Sequence, residues 1–348
     1  MNIKSRIESV DIFRLLAIFC VIMIHTRPFL GSTLFGCGVN NYLGVFINQI
    51  SRFAVPFFFT ISGYFFALKI SKSESIDKAA KTTLSRVFLI FIAWSGIYLF
   101  PWHKLFPLGE FNIVEALEFI KNRIIGNLKN PINFLFNGTK GHLWFLSSLI
   151  QVIFITFLWE KYKLRLSIFY VALMLFIIGN MALSYSKTPI GVDFGFYTRN
   201  GPFLGLLFFV SGFKFFQKDY KINYLKSGIM LSLLGVFIQC LETIVLKKYF
   251  DTSAISDYFF GTYFTGIGVS LIALSNNKVF RIPNLSSIGR KTLGVYGIHY
   301  IFIDILKPYK MQYCGTFVEI VFTLLVFGLS ILTVYLMSFN RGLRKIVE

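Results

Sequence analysis

Long runs of apolar residues, separated by short polar stretches, set the pattern of this chain. Each run is about 20 residues long, the length that a helix needs to cross about 30 Å of hydrocarbon. No internal repeat is visible, so we expect one integral-membrane domain over residues 1–348. The pattern predicts an all-α, polytopic membrane protein with about ten transmembrane helices. The predicted spans are 9–27, 45–69, 86–103, 142–159, 165–184, 201–216, 226–246, 258–275, 290–306 and 316–337.

Some segments depart from a plain span. Arg52 and Pro56 interrupt the second run, so a broken helix is expected there. The sixth and ninth runs are short, which suits tilted or partly buried helices. The long segment 102–141 contains FNIVEALEFIKNRIIGNL at 111–128, with apolar residues at helical spacing. This spacing predicts an amphipathic helix that lies on the outer interface or covers a cavity.

Composition agrees with a membrane protein. Hydrophobic residues make up 55% of the chain and charged residues 15%, and the mean hydropathy is +0.66. About a quarter of the residues in a soluble globular protein are charged. The formal net charge of +19 would suit nucleic acid, but a membrane protein uses Lys and Arg to set its orientation.

The distribution of basic residues predicts that orientation. Lys and Arg concentrate in segments 69–86, 161–165, 214–226 and 278–291 and near both ends of the chain. Cytoplasmic loops carry such an excess, so we expect both termini in the cytoplasm.

The four cysteines show no metal-ligand spacing. Cys20 and Cys240 fall in predicted spans, which favours a packing role. Cys37 and Cys314 fall in predicted outer loops, where a disulfide between them stays open as an alternative.

The first run, DIFRLLAIFCVIMIH at 11–25, carries three polar residues that are costly in hydrocarbon. Asp11 and Arg14 are one helical turn apart, and His25 lies about 16 Å beyond Arg14 on the same stripe. Such groups normally face a bundle interior or a wet cavity. Because charges interrupt the run and no small-residue cleavage site follows, we expect this span to remain in the mature protein.

Each of these residues also has a purely structural interpretation. Asp11 and Arg14 form an interfacial pair if they reach the cytoplasmic headgroups, and His25 is a satisfied core histidine if its neighbours hold it. Other polar and aromatic residues at span edges are candidates for a site; they are Arg52, His142, Trp144, Tyr296 and His299. For Trp144 alone, an interfacial belt position is the favoured interpretation.

These segments carry a resemblance to a known family. The chain resembles the acyltransferase-3 family of multi-span membrane acyltransferases that modify bacterial surface glycans. The resemblance rests on Arg14 and His25, with ten residues between them, and on four further segments in order. Those segments are RFAVPFFFTISGY, HLWFLSSL, GPFLGLLFFVSGF and LGVYGIHYIF. One segment alone is a weak apolar pattern, whereas the ordered set is specific.

The resemblance implies a function and a location. Family members typically have ten core helices in the bacterial cytoplasmic (inner) membrane. They take an acyl group, usually acetyl, from cytoplasmic acyl-CoA and transfer it to a hydroxyl or amine of a glycan or its lipid-linked precursor. The expected partners are therefore acyl-CoA as donor substrate, the glycan acceptor and the bilayer. Because the predicted spans fill the chain, it resembles the family's stand-alone form.

The resemblance also suggests roles for the candidate residues. Arg14 would hold the phosphate or thioester region of acyl-CoA, with Arg52 as a second cationic contact. His25 would act as general base or acyl carrier, and Asp11 would orient Arg14. The remaining four candidates would shape the acceptor side; they are His142, Trp144, Tyr296 and His299.

One alternative comes from a different class of protein. Polar tracks through a helix bundle also mark transporters and flippases, so export of a glycan or small metabolite stays open. The sequence has no GxSxG motif and no metal-ligand cluster, and it does not identify the acceptor.

Overall fold

The computed structural model describes residues 7–30, 32–33, 36–37, 42–104, 112–217, 222–313 and 315–348. Helices dominate this part of the chain, as the apolar runs predict, so the all-α class is confirmed. A small antiparallel pair, β1 (Ser32–Thr33) and β2 (Gly36–Cys37), adds two residues per strand. The helices are α1 (Glu8–Thr26), α2 (Tyr42–Ser51), α3 (Ala54–Lys72), α4 (Ile76–Ile97), α5 (Ile113–Lys129), α6 (Pro131–Asn137), α7 (Trp144–Lys161), α8 (Ile168–Met181), α9 (Pro202–Gln217), α10 (Tyr224–Phe250), α11 (Phe260–Leu274), α12 (Pro283–Gly289), α13 (Thr292–Lys310), α14 (Thr316–Met337) and α15 (Arg341–Val347).

Every predicted span falls on helical residues, and the second falls on two helices, α2 and α3. Among the described residues, six helical segments are long and apolar enough to cross a membrane: Glu8–Thr26, Tyr42–Lys72, Ile76–Lys104, Gly141–Lys161, Tyr224–Phe250 and Thr316–Met337. The shorter helices α8, α9 and α11 are also apolar. The count of ten crossings and the side on which the termini lie remain predictions.

Two predicted spans differ most from the helices of the structure. The second is broken, because α2 ends at Ser51 and α3 begins at Ala54, with Arg52 in the break. The third was expected at 86–103, whereas α4 begins ten residues earlier, at Ile76. The polar residues at its beginning continue the helix through good helix formers such as Ala79 and Lys81.

The described chain divides into two compact units. The first unit comprises Met1–Ala17, Gln49–Val87 and Ser148–Gly289, and the second comprises Ile18–Asn48, Phe88–Ser147 and Arg290–Glu348.

In the first unit, α3 and α9 cross at unusually close range. A Cβ at Gly63 would overlap the Phe209 carbonyl, and one at Gly212 would overlap the Thr60 carbonyl. Both glycines belong to a Ser-Gly pair in the segments that carried the family resemblance. Small residues allow such close helix packing in membranes, so these pairs hold the crossing.

In the second unit, α13 packs against α4, α14 and α15. The Tyr98 hydroxyl donates to the Gly297 carbonyl at 2.7 Å, and the Trp94 ring lies directly against Gly297, where any Cβ would overlap it. The Trp94 indole N–H donates to the Ile346 carbonyl at 3.3 Å. These contacts fix the part of α13 that carries His299.

The predicted amphipathic helix is present as α5. Its apolar positions Ile113, Leu117 and Leu128 are exposed on the surface of the protein, as a helix that faces an interface requires. A salt bridge from Lys104 to Glu115 at 2.8 Å links the helix to the preceding segment. Whether it lies on the outer interface stays a prediction.

Two acids inside or near the predicted spans, Glu242 and Glu319, make structural contacts. Glu242 accepts from the amides of Phe260 and Gly261 at 2.8 Å each, at the beginning of α11, and Glu319 accepts from the Phe29 amide at 2.7 Å. Cys20 is buried. The disulfide considered between Cys37 and Cys314 lies outside what the structure describes, because Cys314 is not among the described residues.

Candidate active site

Asp11, Arg14 and His25 all lie on the single helix α1. In the first unit, Arg14 Nη1 lies 3.0 Å from Asp11 Oδ1, and the Asp11 side chain is almost fully buried. The Arg14 guanidinium also lies over the Phe65 ring, 5.1 Å from its centre. A buried carboxylate and an aromatic face on two sides restrict the guanidinium to one direction. Asp11 and Phe65 thus contact the Arg14 guanidinium on two sides.

Two further cations extend from Arg14 in the first unit, because Arg86 lies near Arg14 and Lys69 lies near Arg86. Arg86 on α4 is close enough to interact electrostatically with both Arg14 and Lys69. The Lys69 ammonium donates to the Thr83 hydroxyl at 2.9 Å, which ties α3 to α4. We call Arg14, Lys69 and Arg86 the Arg14 group. Three cationic side chains concentrate positive charge in this part of the first unit, which attracts anions.

Arg52 belongs to a different group of charges. Its Nη1 lies 2.6 Å from Asp257 Oδ1, and Arg199 Nη1 lies 2.9 Å from Asp257 Oδ2. Burial raises the pKa of Asp257, but the charges and hydrogen bonds of Arg52 and Arg199 outweigh it and hold that pKa below its ordinary value. We call these three residues the Asp257 cluster.

Arg14 and Arg52 therefore cannot contact the same phosphate group. Arg14, on α1, contacts Phe65 in the second half of α3, whereas Arg52 precedes the first residue of α3. The thirteen-residue separation of Arg52 and Phe65 corresponds to about 20 Å of helix.

The second unit gathers three of the four histidines in one place. The His25 and His299 rings are stacked with centres 5.5 Å apart, and the His142 and His299 rings meet edge to face at 5.2 Å. Tyr300 joins two of them: its hydroxyl lies 3.0 Å from His25 Nδ1, and its ring stacks on His142 at 4.5 Å. Together with Tyr296, these residues form what we call the imidazole cluster.

Backbone contacts set the ring positions. His299 Nδ1 lies 2.7 Å from the Tyr296 carbonyl, and the Tyr296 hydroxyl donates to the His142 carbonyl. His142 and His299 are almost fully buried. Since Nδ1 of His299 meets a carbonyl, it carries the proton, which makes Nε2 an acceptor.

Some ring nitrogens of this cluster lack a hydrogen bond within the described part of the chain. They are Nε2 of His299 and both nitrogens of His142. The Gly297 carbonyl interacts with His142 electrostatically, but at a geometry short of a hydrogen bond. Buried polar atoms without partners are rare in proteins and often mark a site that a ligand completes.

An ion pair borders the cluster. Lys140 Nζ lies 2.5 Å from Asp304 Oδ2 and 5.1 Å from the centre of the Tyr300 ring. A cation over an aromatic face is attracted to the ring, so Lys140 places a positive charge beside the tyrosine that contacts His25.

The structure brings four of the predicted residues together in the second unit. His25, His142, Tyr296 and His299 form the imidazole cluster. Trp144 is one step removed, because its ring contacts Phe145 and Phe145 contacts Tyr296. Asp11 and Arg14 share α1 with His25, about 16–21 Å away along its axis. The roles assigned to all eight residues remain predictions.

Sequence reasoning missed several residues of these groups. Tyr300 follows His299 directly and lies one turn after Tyr296, so helical spacing on α13 was a usable signal. No local signal pairs Lys140 with Asp304 or Arg52 with Asp257, because the partners are far apart in sequence. Among the described residues, no set of three or more His, Cys, Asp or Glu side chains is arranged to hold a metal ion.

Apolar helices that carry half-buried cations and a largely buried ring cluster are typical of a multi-pass membrane protein. Residues 7–339 match the acyltransferase-3 family, described as an acyltransferase domain. Since the match covers nearly the whole chain, the protein belongs to that family. Membership supports an acyltransferase activity in the membrane.

The curated relatives of the chain share less than a third of their residues with it over the matched region. An amino-acid racemase of Enterococcus faecalis is 28% identical over 271 residues, which are 73% of this chain and 36% of that protein. A serine/alanine racemase of Enterococcus gallinarum is 27% identical over 253 residues, 67% of this chain and 32% of that protein. The chain thus spans about a third of the length of these relatives. No solved structure matches the chain.

Proposed function

We propose that the protein transfers an acetyl or other acyl group from acyl-CoA to a hydroxyl of a cell-surface glycan or its lipid-linked precursor. The observation that carries this proposal is one helix, α1, with Arg14 among cations near its beginning and His25 in a buried ring cluster at its end. The family to which the chain belongs supports the reaction class.

The Arg14 group supports acyl-CoA as the donor. Coenzyme A carries several phosphate negative charges, and guanidinium groups bind phosphate well because their N–H groups match its oxygen atoms. Asp11 and Phe65 hold the Arg14 guanidinium in place, so little side-chain entropy is lost on binding.

The imidazole cluster supports proton transfer from the acceptor. In the proposed step, Nε2 of His25 takes the proton of the acceptor hydroxyl as its oxygen attacks the thioester carbonyl carbon. The carbon–sulfur bond then breaks, and the departing CoA thiolate receives the proton from the imidazolium. The acyl ester and free CoA are the products, and His25 returns to its neutral form.

Tyr300 suits a positioning role in this step. A histidine that acts through one ring nitrogen needs the other nitrogen held by a hydrogen bond. The Tyr300 hydroxyl lies 3.0 Å from His25 Nδ1, so it can accept a hydrogen bond from Nδ1–H. His25 Nε2 is then presented to the acceptor. Stacking on His142 fixes the Tyr300 ring.

The racemase names of the relatives do not bear on the function proposed for this chain. Those names describe proteins about three times the matched length at 27–28% identity. Transport of a glycan or metabolite is the competing function, and it predicts no chemical change in acyl-CoA.

Release of CoA thiol by the purified protein tests the proposal. The assay contains acetyl-CoA and a glycan-bearing membrane fraction, and it compares the wild type with His25→Gln. We expect thiol release that depends on the membrane fraction and is lost in the variant. Transport without consumption of acetyl-CoA would refute acyl transfer.

A further inference from the structure

Two histidines of the imidazole cluster have ring nitrogens that no other residue described by the structure satisfies. They are Nε2 of His299 and both nitrogens of His142. The two side chains are 0% and 3% exposed, respectively. A buried polar atom without a partner is costly to the fold, so a bound molecule that supplies partners gains affinity at this place.

The tyrosine hydroxyls beside these histidines bind backbone groups instead. The Tyr98 hydroxyl donates to the Gly297 carbonyl at 2.7 Å, and the Tyr296 hydroxyl donates to the backbone carbonyl of His142. Partners for the imidazole nitrogens therefore come from a bound molecule or from water.

The types of unsatisfied atom indicate the chemistry of that molecule. His299 Nδ1 lies 2.7 Å from the Tyr296 carbonyl, so Nδ1 carries the proton and Nε2 is an acceptor. In its neutral form, His142 adds one acceptor and one N–H donor. The two rings thus need two hydrogen-bond donors and one acceptor. A carboxylate only accepts and an ammonium group only donates, whereas a pair of hydroxyls does both.

Three aromatic rings contact His142. The Tyr300 ring stacks on it at 4.5 Å, and the Tyr98 and Tyr296 rings meet it edge to face at 4.9 Å and 5.5 Å. A few polar atoms among aromatic rings are the usual lining of a small-molecule site, and the C–H faces of a sugar pack against such rings. A neutral sugar therefore fits the cluster better than a small anion or cation does.

The spacing of the rings suits two hydroxyls of one sugar. The centres of the His142 and His299 rings are 5.2 Å apart, and a hydrogen bond to a ring nitrogen is about 3 Å long. Neighbouring hydroxyls can therefore each reach one ring. The His25 ring stacks on that of His299 at 5.5 Å, so the same sugar lies close to the proposed base.

We propose that His142 and His299 bind a neutral sugar through two of its hydroxyls and hold it beside His25. This inference rests on the proposed acyl transfer, and it identifies the acceptor as a neutral sugar with neighbouring free hydroxyls. The alternative is that buried water satisfies the nitrogens and that both histidines serve only the packing of the second unit.

Nitrogen NMR of the purified full chain with ¹⁵N-labelled histidine tests binding directly. The chain contains four histidines, and His103→Phe assigns the one that contacts Phe119 outside the cluster. The probes are the methyl glycosides of glucose, galactose and mannose, in a detergent without a sugar headgroup. Cyclohexanol and cyclohexanecarboxylate are the controls. We expect at least one glycoside to shift the signals of His142 and His299, and neither control to do so.

Kinetics of CoA thiol release test the role in acyl transfer. His142→Phe keeps a ring against Tyr300 but has no nitrogen, and His299→Asn keeps an N–H for the Tyr296 carbonyl but has no atom in place of Nε2. We expect each variant to lower kcat/KM for the glycan-bearing membrane fraction about tenfold, the loss of one hydrogen bond. The affinity for acetyl-CoA should not change, and His103→Phe should keep both values.

Competition separates sugar binding from a structural role. The glycoside that shifts the signals should inhibit use of the membrane fraction in the wild type, and this inhibition should weaken in His142→Phe and His299→Asn. If a variant does not elute as a folded protein, the signals and the inhibition of the wild type provide the test.

Two results would overturn the proposal. One is the absence of any signal shift with all three glycosides, which would leave the nitrogens to water. The other is wild-type kcat/KM for the membrane fraction in both His142→Phe and His299→Asn. Failure of the proposed function has a different result, because signal shifts without thiol release in the wild type would support the sugar site and refute acyl transfer.

Discussion

The two units treat their buried polar groups in opposite ways. The first unit balances charges, with Asp11 against Arg14 and Asp257 against Arg52 and Arg199. The second unit gathers imidazole and phenol rings, where His25, His142 and His299 meet two tyrosines. Its ion pair of Lys140 and Asp304 borders that cluster.

The two kinds of polar group suit two tasks of an acyltransferase, substrate binding and proton transfer. Clustered positive charge attracts phosphate groups and so contributes to substrate binding. Neutral imidazoles can accept a proton and release it again, which a permanently charged guanidinium cannot do. We therefore expect substitutions in the first unit to change ligand affinity or stability, and substitutions in the imidazole cluster to change turnover.

The largest expected effect is on turnover in the second unit. His25→Gln keeps a hydrogen-bonding side chain but removes the base, so we expect transfer to fall about 10³-fold. His103→Gln is the matched control, since His103 is the fourth histidine and contacts Phe119 outside the cluster. CoA release by both purified variants measures the effect. A normal rate in His25→Gln would reduce His25 to a packed polar residue.

Tyr300→Phe is expected to act more weakly on the same step. The substitution removes the hydroxyl beside His25 Nδ1 but keeps the stacked ring, so the loss of one hydrogen bond gives about a tenfold lower kcat. The KM for acetyl-CoA should not change. Tyr313→Phe, at an exposed position of the same unit, controls for loss of a hydroxyl. A raised KM with normal kcat would contradict a positioning role.

The smallest expected effect is on stability in the first unit. The pKa of Asp257 is held below its ordinary value by Arg52 and Arg199. A carboxylate of this kind stabilises the fold above its unfolded pKa of about 4 and loses that contribution as pH falls through the folded pKa. Asp257→Asn should therefore lower Tm by a few degrees at pH 7, and the gap to wild type should narrow below about pH 4.

Asp251→Asn is the control for this measurement. Its partner Lys247 is four residues away and both side chains are mainly exposed, so the pair contributes little. Equal Tm values for Asp257→Asn and wild type at pH 7 would show that the Asp257 cluster does not stabilise the first unit.

Sequence alone predicted the helices well, because apolar runs report directly on burial in lipid. The break near Arg52 and the amphipathic helix α5 were also predicted, the first from a charge and a proline and the second from apolar spacing. Segment bounds were less accurate. The first ten residues of α4 are mainly polar and therefore do not belong to an apolar run. The predicted span for this reason began at 86 rather than 76.

The candidate site was predicted only in part. Histidines are rare in this chain and three lie at span edges, so composition pointed to His25, His142 and His299. Their mutual contacts depend on how α1, α7 and α13 pack, which no local pattern encodes. Asp257 was missed for the same reason, since its two arginines come from distant loops.

Equilibrium binding of acetyl-CoA to Arg14→Ala and His25→Gln, measured side by side on purified protein, tests the division of tasks most directly. We expect affinity at least about tenfold weaker in Arg14→Ala, partial recovery in Arg14→Lys, and wild-type affinity in His25→Gln. Unchanged affinity in Arg14→Ala, or a loss of affinity in His25→Gln equal to that of Arg14→Ala, would contradict it.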